Sequence, residues 1–238
     1  MMNRRLLNLR ATRRSLRADT SGLALLEFAF SLPILLLLSL TGAEITNYII
    51  TRMRVSQLAL HLADNAARIG TGSQLQAKTI NEVDINDLFT GAGLQAGELE
   101  LFARGRVILS SLEPDPANAG KYRIRWQRCR GAKAAQVSAY GGGGTVNLAG
   151  MGKSSSRLIT APANGVTMYI EVYYEYKPIF KAGIAPNSSF REEASMMVRD
   201  RRETSDDTRL PNGSVNPDPK HRDGVYRVDG VTAASCGT

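Results

Sequence analysis

The sequence predicts an α+β fold: a long N-terminal membrane-spanning helix packed on a small antiparallel sheet. Three observations carry this. Leu23 to Ala43 is an apolar run of 21 residues with one ionisable group, Glu27. Beyond Glu44 the apolar positions fall on a single helical face. Further on, short runs that alternate apolar and polar residues are separated by turns rich in glycine and proline. A chain of 238 residues holds one soluble domain beside an anchor.

The first element is a basic leader, residues 1–21. Arg4, Arg5, Arg10, Arg13, Arg14 and Arg17 stand there against Asp19, so residues 1–20 carry +5 of a net charge of +8. That excess abuts a hydrophobic span. Retention of positive charge on the cytoplasmic side explains it more simply than nucleic-acid binding, and places everything after about Ile50 across the membrane.

Residues 22–69 form the second element. At about 1.5 Å per residue, 21 apolar residues cross a hydrocarbon core of ~30 Å. Pro33 removes one backbone hydrogen bond without ending a membrane helix. Val55, Leu58, Leu62, Ala66 and Ile69 then recur at spacings of three and four. Gly70 and Gly72 give a stop, so one helix is expected from about Leu23 to Arg68. Its second half requires a partner surface.

Residues 70–200 supply that surface as an extracytoplasmic α+β domain. Glu98–Leu101 and Arg106–Leu112 read as short extended runs. The turn cluster Glu113–Gly120 joins the latter to Lys121–Arg128, in which Tyr122, Ile124 and Trp126 alternate with polar residues. Val166, Met168, Ile170, Val172, Tyr174 and Tyr176 share one face of the strongest strand, closed by Pro178. Phe190–Val198 is the last strand of the set. The stretch with Gly141–Gly144 and the Gly/Ser/Lys-rich residues 150–157 reads as a long exposed loop. Residues 201–238 turn polar and proline-containing, the composition of a flexible tail, with Tyr226 and Val228 as a candidate edge strand.

Few residues carry chemistry. A carboxylate at the depth of Glu27 costs ~2.5–3.5 kcal/mol on insertion scales, so it either has a partner in the bilayer or reaches solvent near the interface. Cys129 and Cys236 lack metal spacing; they form one disulfide if the domain is exported, or remain two thiols. Gly152-Lys153-Ser154 resembles the end of a phosphate loop, but Asn147 stands where the motif needs glycine. His61 and His221 belong to no catalytic or metal pattern. No cofactor and no enzymatic activity are expected. Tyr169, Tyr173, Tyr174 and Tyr176 read either as ordinary strand residues or as an interface.

Gly22, four apolar residues, Glu27 and Phe28 resemble the processing site of type IV prepilins. The wider run, with Leu32-Pro33 and the later Glu44, looks like the TadE-like family of the tight-adherence (Flp) pilus system. Trp126-Gln-Arg-Cys129 and Tyr174-x-Tyr-x-Pro178 fit the same outline weakly. The resemblance implies a pilin-like fold and cleavage between Gly22 and Leu23 by a prepilin peptidase. It also implies lateral packing of the helix through Glu27, Phe28, Pro33 and Glu44. The implied partners are the inner membrane, other pilins or pseudopilins and the pilus assembly platform. The specific match covers about residues 17–55. Gly22 also reads as a flexible break between leader and helix. Two other functions stay open: a single-pass anchor presenting a binding module, and a secreted adhesin or hydrolase freed by signal cleavage after Thr41-Gly-Ala43.

Overall fold

The computed structural model describes residues 22–72, 76–180, 186–210 and 213–237; the predicted basic leader, 1–21, lies outside the described residues. The protein is a mixed α+β chain with a long apolar N-terminal helix. Two compact units divide it: Met1–Asn47 with Pro178–Pro186, and Tyr48–Lys177 with Asn187–Thr238.

Helix α1 runs Leu23–Arg68, 46 residues with Pro33 inside. Its first hydrogen bond is from Leu26 N–H to the Gly22 carbonyl, 3.1 Å. In the first unit its large apolar side chains from Leu23 to Leu40, the half-buried Leu32 aside, stand exposed. In the second unit the same helix is amphipathic. Val55, Leu58, Ala59, Leu62, Ala63 and Ala66 are buried against the rest of that unit. Each fully buried leucine contributes about 1.5–3 kcal/mol.

The helix ends where expected, at Arg68. Arg202 holds the end: its guanidinium donates to the carbonyls of Ala67 (2.9 Å) and Ile69. Those carbonyls have no partner within the helix, and a cation there also meets the negative end of the dipole. Gly70 follows at φ +109°, and a Cβ there would come within 2.7 Å of the Arg202 guanidinium, so only glycine fits.

The main sheet has four antiparallel strands in the order β3-β2-β4-β5. They are β2 (Gly105–Pro114), β3 (Tyr122–Arg130), β4 (Thr167–Glu175) and β5 (Ser189–Met197). β2 and β3 form the expected hairpin. β4 matches the strongest predicted strand: Val166, Met168, Ile170, Val172 and Tyr174 all enter the core against α1. A smaller three-stranded sheet, order β1-β7-β6, pairs β1 (Ile80–Asn81) in parallel with β7 (Val225–Tyr226), and β6 (His221–Arg222) antiparallel to β7.

Three local readings need correction. Glu98–Leu101 is not extended. Gly97–Leu99 is a 3-10 turn and Leu101–Arg104 a short helix, α3. Gly97 and Glu100 sit at φ 52° and 49°, which a strand does not tolerate. Helix α2 (Glu82–Ala96) was not expected at all. Asn81 opens it with a capping box: its side chain accepts from Asp84 N–H at 2.9 Å, and Asp84 accepts from Asn81 N–H at 3.1 Å. Ile85, Leu88, Phe89, Ala92 and Ala96 are its buried side. Third, Tyr122, Ile124 and Trp126 do not share a face. A bulge between Ser110 and Leu112 shifts the register. Ile124 and Tyr122 pack with Leu112, Met151 and Tyr169 in a small second cluster, while Trp126 joins the main core.

The composition after Arg201 points to a flexible tail, but the described part of it is tied down. Thr204 O accepts from Arg125 at 2.6 Å, Thr232 O from Asn86 at 3.0 Å, and Ala234 O from Cys129 N–H at 2.7 Å. Cys129 and Cys236 are joined by a disulfide.

Candidate functional site

Gly22 is an exposed turn residue directly before α1. A Cβ added there meets nothing within 4 Å among the described residues, and its φ is not in the left-handed region. Neither packing nor backbone conformation therefore requires glycine at this position. Glu27 and Phe28 follow on the exposed apolar stretch, Phe28 at 60 % exposure. Pro33 sits within the continuous helix and leaves the Ala29 carbonyl without its usual N–H donor. Two residues earlier, Ser31 Oγ donates to the Phe28 carbonyl at 3.2 Å.

Glu44 behaves differently from Glu27. It is completely buried, and its Oε2 accepts from the backbone N–H groups of Ile179 and Phe180, each at 2.9 Å. All three residues belong to the first unit. A carboxylate receiving two amide donors is a strong, charge-assisted latch. The structure thus places Glu44 against a segment of its own chain.

The second unit begins with an aromatic group. Tyr48 packs edge-on against Tyr176 at 5.1 Å and Phe190 at 5.8 Å. Arg52 pairs with Glu192 at 2.7 Å beside it. In the interior, Arg128 meets the buried Glu82 through both carboxylate oxygens, at 3.1 Å from Nε. Glu113 lies between Arg123 and Arg125, at 3.4 and 3.5 Å. Burial pushes its carboxyl up, and the two guanidiniums oppose that shift.

The face of the sheet turned away from α1 is unexpectedly polar. Tyr169 and Tyr140 both donate to Glu193 Oε2, at 2.7 and 3.0 Å. Burial raises both hydroxyl pKa values, so both stay protonated donors. Glu171, directly opposite Glu193 on the neighbouring strand, accepts from Arg191 at 2.7 Å and from Ala139 N–H at 3.2 Å. The tyrosine cluster is therefore not an exposed interface. Tyr169, Tyr174 and Tyr176 are buried, and the Tyr174 hydroxyl donates to the Leu99 carbonyl at 2.8 Å.

The loop between β3 and β4 covers this face. Its Gly141 carbonyl accepts from Gln127 at 3.1 Å, and Gly144 N–H donates to Ile124 O at 2.7 Å. Next to it is a cavity of about 660 Å³ whose wall includes Arg106, Gln127, Gly141–Gly143 and the Cys129–Cys236 disulfide. Gly152-Lys153-Ser154 lies in irregular turns of the same loop, with no following helix, and Lys153 donates to the Arg191 carbonyl at 2.6 Å. His61 is exposed on α1 beside Gln95, and His221 stacks on Tyr226. Among the described residues no cluster of His, Cys, Asp or Glu has the makings of a metal site.

Sequence reasoning missed Arg106, Glu171 and Glu193. Their signal was faint: charged residues at the outward positions of strands whose inward positions are apolar, normally the mark of a solvated face. Comparison with protein-family models, curated proteins and solved structures finds no match to this chain.

Proposed function

We propose that this chain is a pseudopilin-like subunit of a tight-adherence type pilus, anchored in the bacterial inner membrane with its α+β domain outside the cytoplasm, and acting by assembly rather than by chemistry. One observation carries the reading. A single helix of 46 residues is exposed and apolar in its first half and supplies core residues to a folded domain with its second half. Such a helix is long enough to cross a bilayer and anchor the domain in the same stroke. Gly22 adds support, since nothing among the described residues around it calls for glycine, whereas a processing peptidase would. Glu27, five residues after it, would meet the new amino terminus of a neighbouring subunit and neutralise both charges in lipid.

The mature N-terminus, read by mass spectrometry of protein from native membranes, tests this. A chain beginning at Leu23 is expected; one beginning at Met1 or Met2 removes the processing half of the proposal. Glu27→Ala should insert normally and abolish or strongly reduce piliation, and normal piliation in that variant would falsify the role of Glu27. The cavity beside Arg106 favours a second reading, a membrane-anchored binding module unrelated to pili. An uncut Gly22 and a preparation free of co-purifying pilin would select it.

A further inference from the structure

Arg106 is a buried cation without an anion among the described residues. It is 4 % exposed on β2, and no carboxylate lies within ion-pair distance of it among the described residues. The other guanidiniums of this interior are matched: Arg128 with Glu82, Arg125 with Glu113, Arg191 with Glu171. Arg202 has the carbonyl end of α1. Arg106 has two carbonyls from different segments: its Nη1 donates to Ala134 O and its Nη2 to Cys236 O. Its Nε–H is buried with no partner. Among the described residues, two Nη hydrogens of the guanidinium are therefore uncommitted besides the buried Nε–H. Desolvation lowers its pKa, and no charge partner offsets that.

The same side chain lines the cavity of about 660 Å³. The other walls include Gln127, Val137, Ser138, Ser235, the Gly141–Gly143 loop and the Cys129–Cys236 disulfide. Arg106 is the one charged residue among the described residues of that wall. The glycines are what let the loop form it. Gly143 lies down on β3, where a Cβ would stand 3.3 Å from Gln127 N, and Gly141 needs φ +104°. The volume lies in the range of ordinary small-molecule sites, far beyond what a lone anion fills.

We propose that this cavity binds a small monocarboxylate of sugar-acid or acyl-amino-acid size, with its carboxylate on Arg106. A planar carboxylate matches the parallel N–H pair that a guanidinium presents. One cation and a neutral wall balance one negative charge; a phosphate dianion would bring a second with nothing to meet it. Hydroxyl or amide groups on the rest of the ligand would meet Ser138, Ser235, Gln127 and the glycine backbone. The assignment lies wholly within the second unit and holds whether or not the helix is processed.

The test uses the full chain in phospholipid nanodiscs. Monocarboxylates of about 10–20 non-hydrogen atoms, glucuronate and hippurate among them, are screened by saturation-transfer NMR against their primary amides, with inorganic phosphate alongside. Calorimetry then ranks the hits. Acids should bind at least about tenfold more tightly than their amides. Arg106→Gln should remove that preference. Because Arg106→Gln also loosens two carbonyls, Ser235→Trp on the exposed rim serves as the second variant. It should weaken acid binding while leaving the Tm unchanged. Equal binding of acid and amide, no acid binding at all, a preference for phosphate, or unaltered binding in both variants would each overturn the proposal.

Discussion

Leu36 and Leu62 lie in the same helix, yet one is 49 % exposed and the other 1 %. Leucine and alanine are common in both halves of α1, while charged and amide side chains are concentrated in the second. What separates them is the solvent each requires. The first half pairs its backbone within the helix, the Ala29 carbonyl opposite Pro33 aside, and turns leucine, isoleucine and phenylalanine outward, which is stable where the surroundings are hydrocarbon. The second half hides the same residue types against β2, β4 and α2 and shows arginine and glutamine to water. The two carboxylates divide in parallel. Glu27 stands exposed on the lipid-type half, whereas Glu44 is consumed by two amides of its own chain. The difference teaches that one continuous helix can carry two independent energetic assignments, and that each can be attacked alone.

The largest effect should come from the buried half. Leu62→Ala should cost the domain about 2–5 kcal/mol, while Leu36→Ala should leave it within about 0.5 kcal/mol. Urea unfolding in detergent, followed by Trp126 fluorescence, measures both, and equal losses would break the comparison. Next comes Glu44→Ala, which strands two N–H donors at a cost of about 1–3 kcal/mol. Glu27→Ala, measured the same way, should leave the midpoint where it is. Arg202→Met should cost about 1–2 kcal/mol and speed amide exchange over the last turn of α1, without altering exchange near Leu23.

The smallest effect concerns acid. Asp115 accepts from Asn118 Nδ2 and from the amides of Ala117 and Asn147, and these bonds hold its carboxyl below the usual range. A depressed folded-state pKa contributes stability above the unfolded value of about 3.9 and loses it as pH falls through the folded value. Asp115→Ala should therefore be less stable than the parent near neutrality, with the gap closing below about pH 4. A series of urea midpoints against pH would show it. Since Asp115 fastens the β2–β3 turn to the loop at Asn147, the exchange of α1 amides should stay unchanged in both halves, and a change there would show that the two halves do not act independently.

The first half of α1 was legible as an unbroken apolar run, and its second half and β4 because each repeats a period over many residues. α1 keeps 3.6 from Val55 to Ala66, and β4 keeps 2.0 from Val166 to Tyr174. Helix α2 was hidden by Thr90-Gly-Ala-Gly93, which dilutes helix propensity, although the Asn81…Asp84 capping box announced its start. The bulge between Ser110 and Leu112 inverts the alternation of β3, and nothing local in the sequence marks it. The Arg106 cavity depends on a loop, a strand and a C-terminal segment meeting in space. No spacing along the chain encodes that. The cysteines were visible as a pair, but their union depends on the docking of residues 231–236 along β3.

That union turns part of the chain into a covalent ring. Cys129 and Cys236 stand 107 residues apart, and β4, β5 and the glycine-bearing loop all lie on the circuit between them. One peptide-bond cut anywhere on that circuit opens the ring but releases no fragment: the downstream piece stays joined to β3 through sulfur. Cleavage by a single protease event would leave a molecule of unchanged mass plus one water, visible as two chains only after reduction.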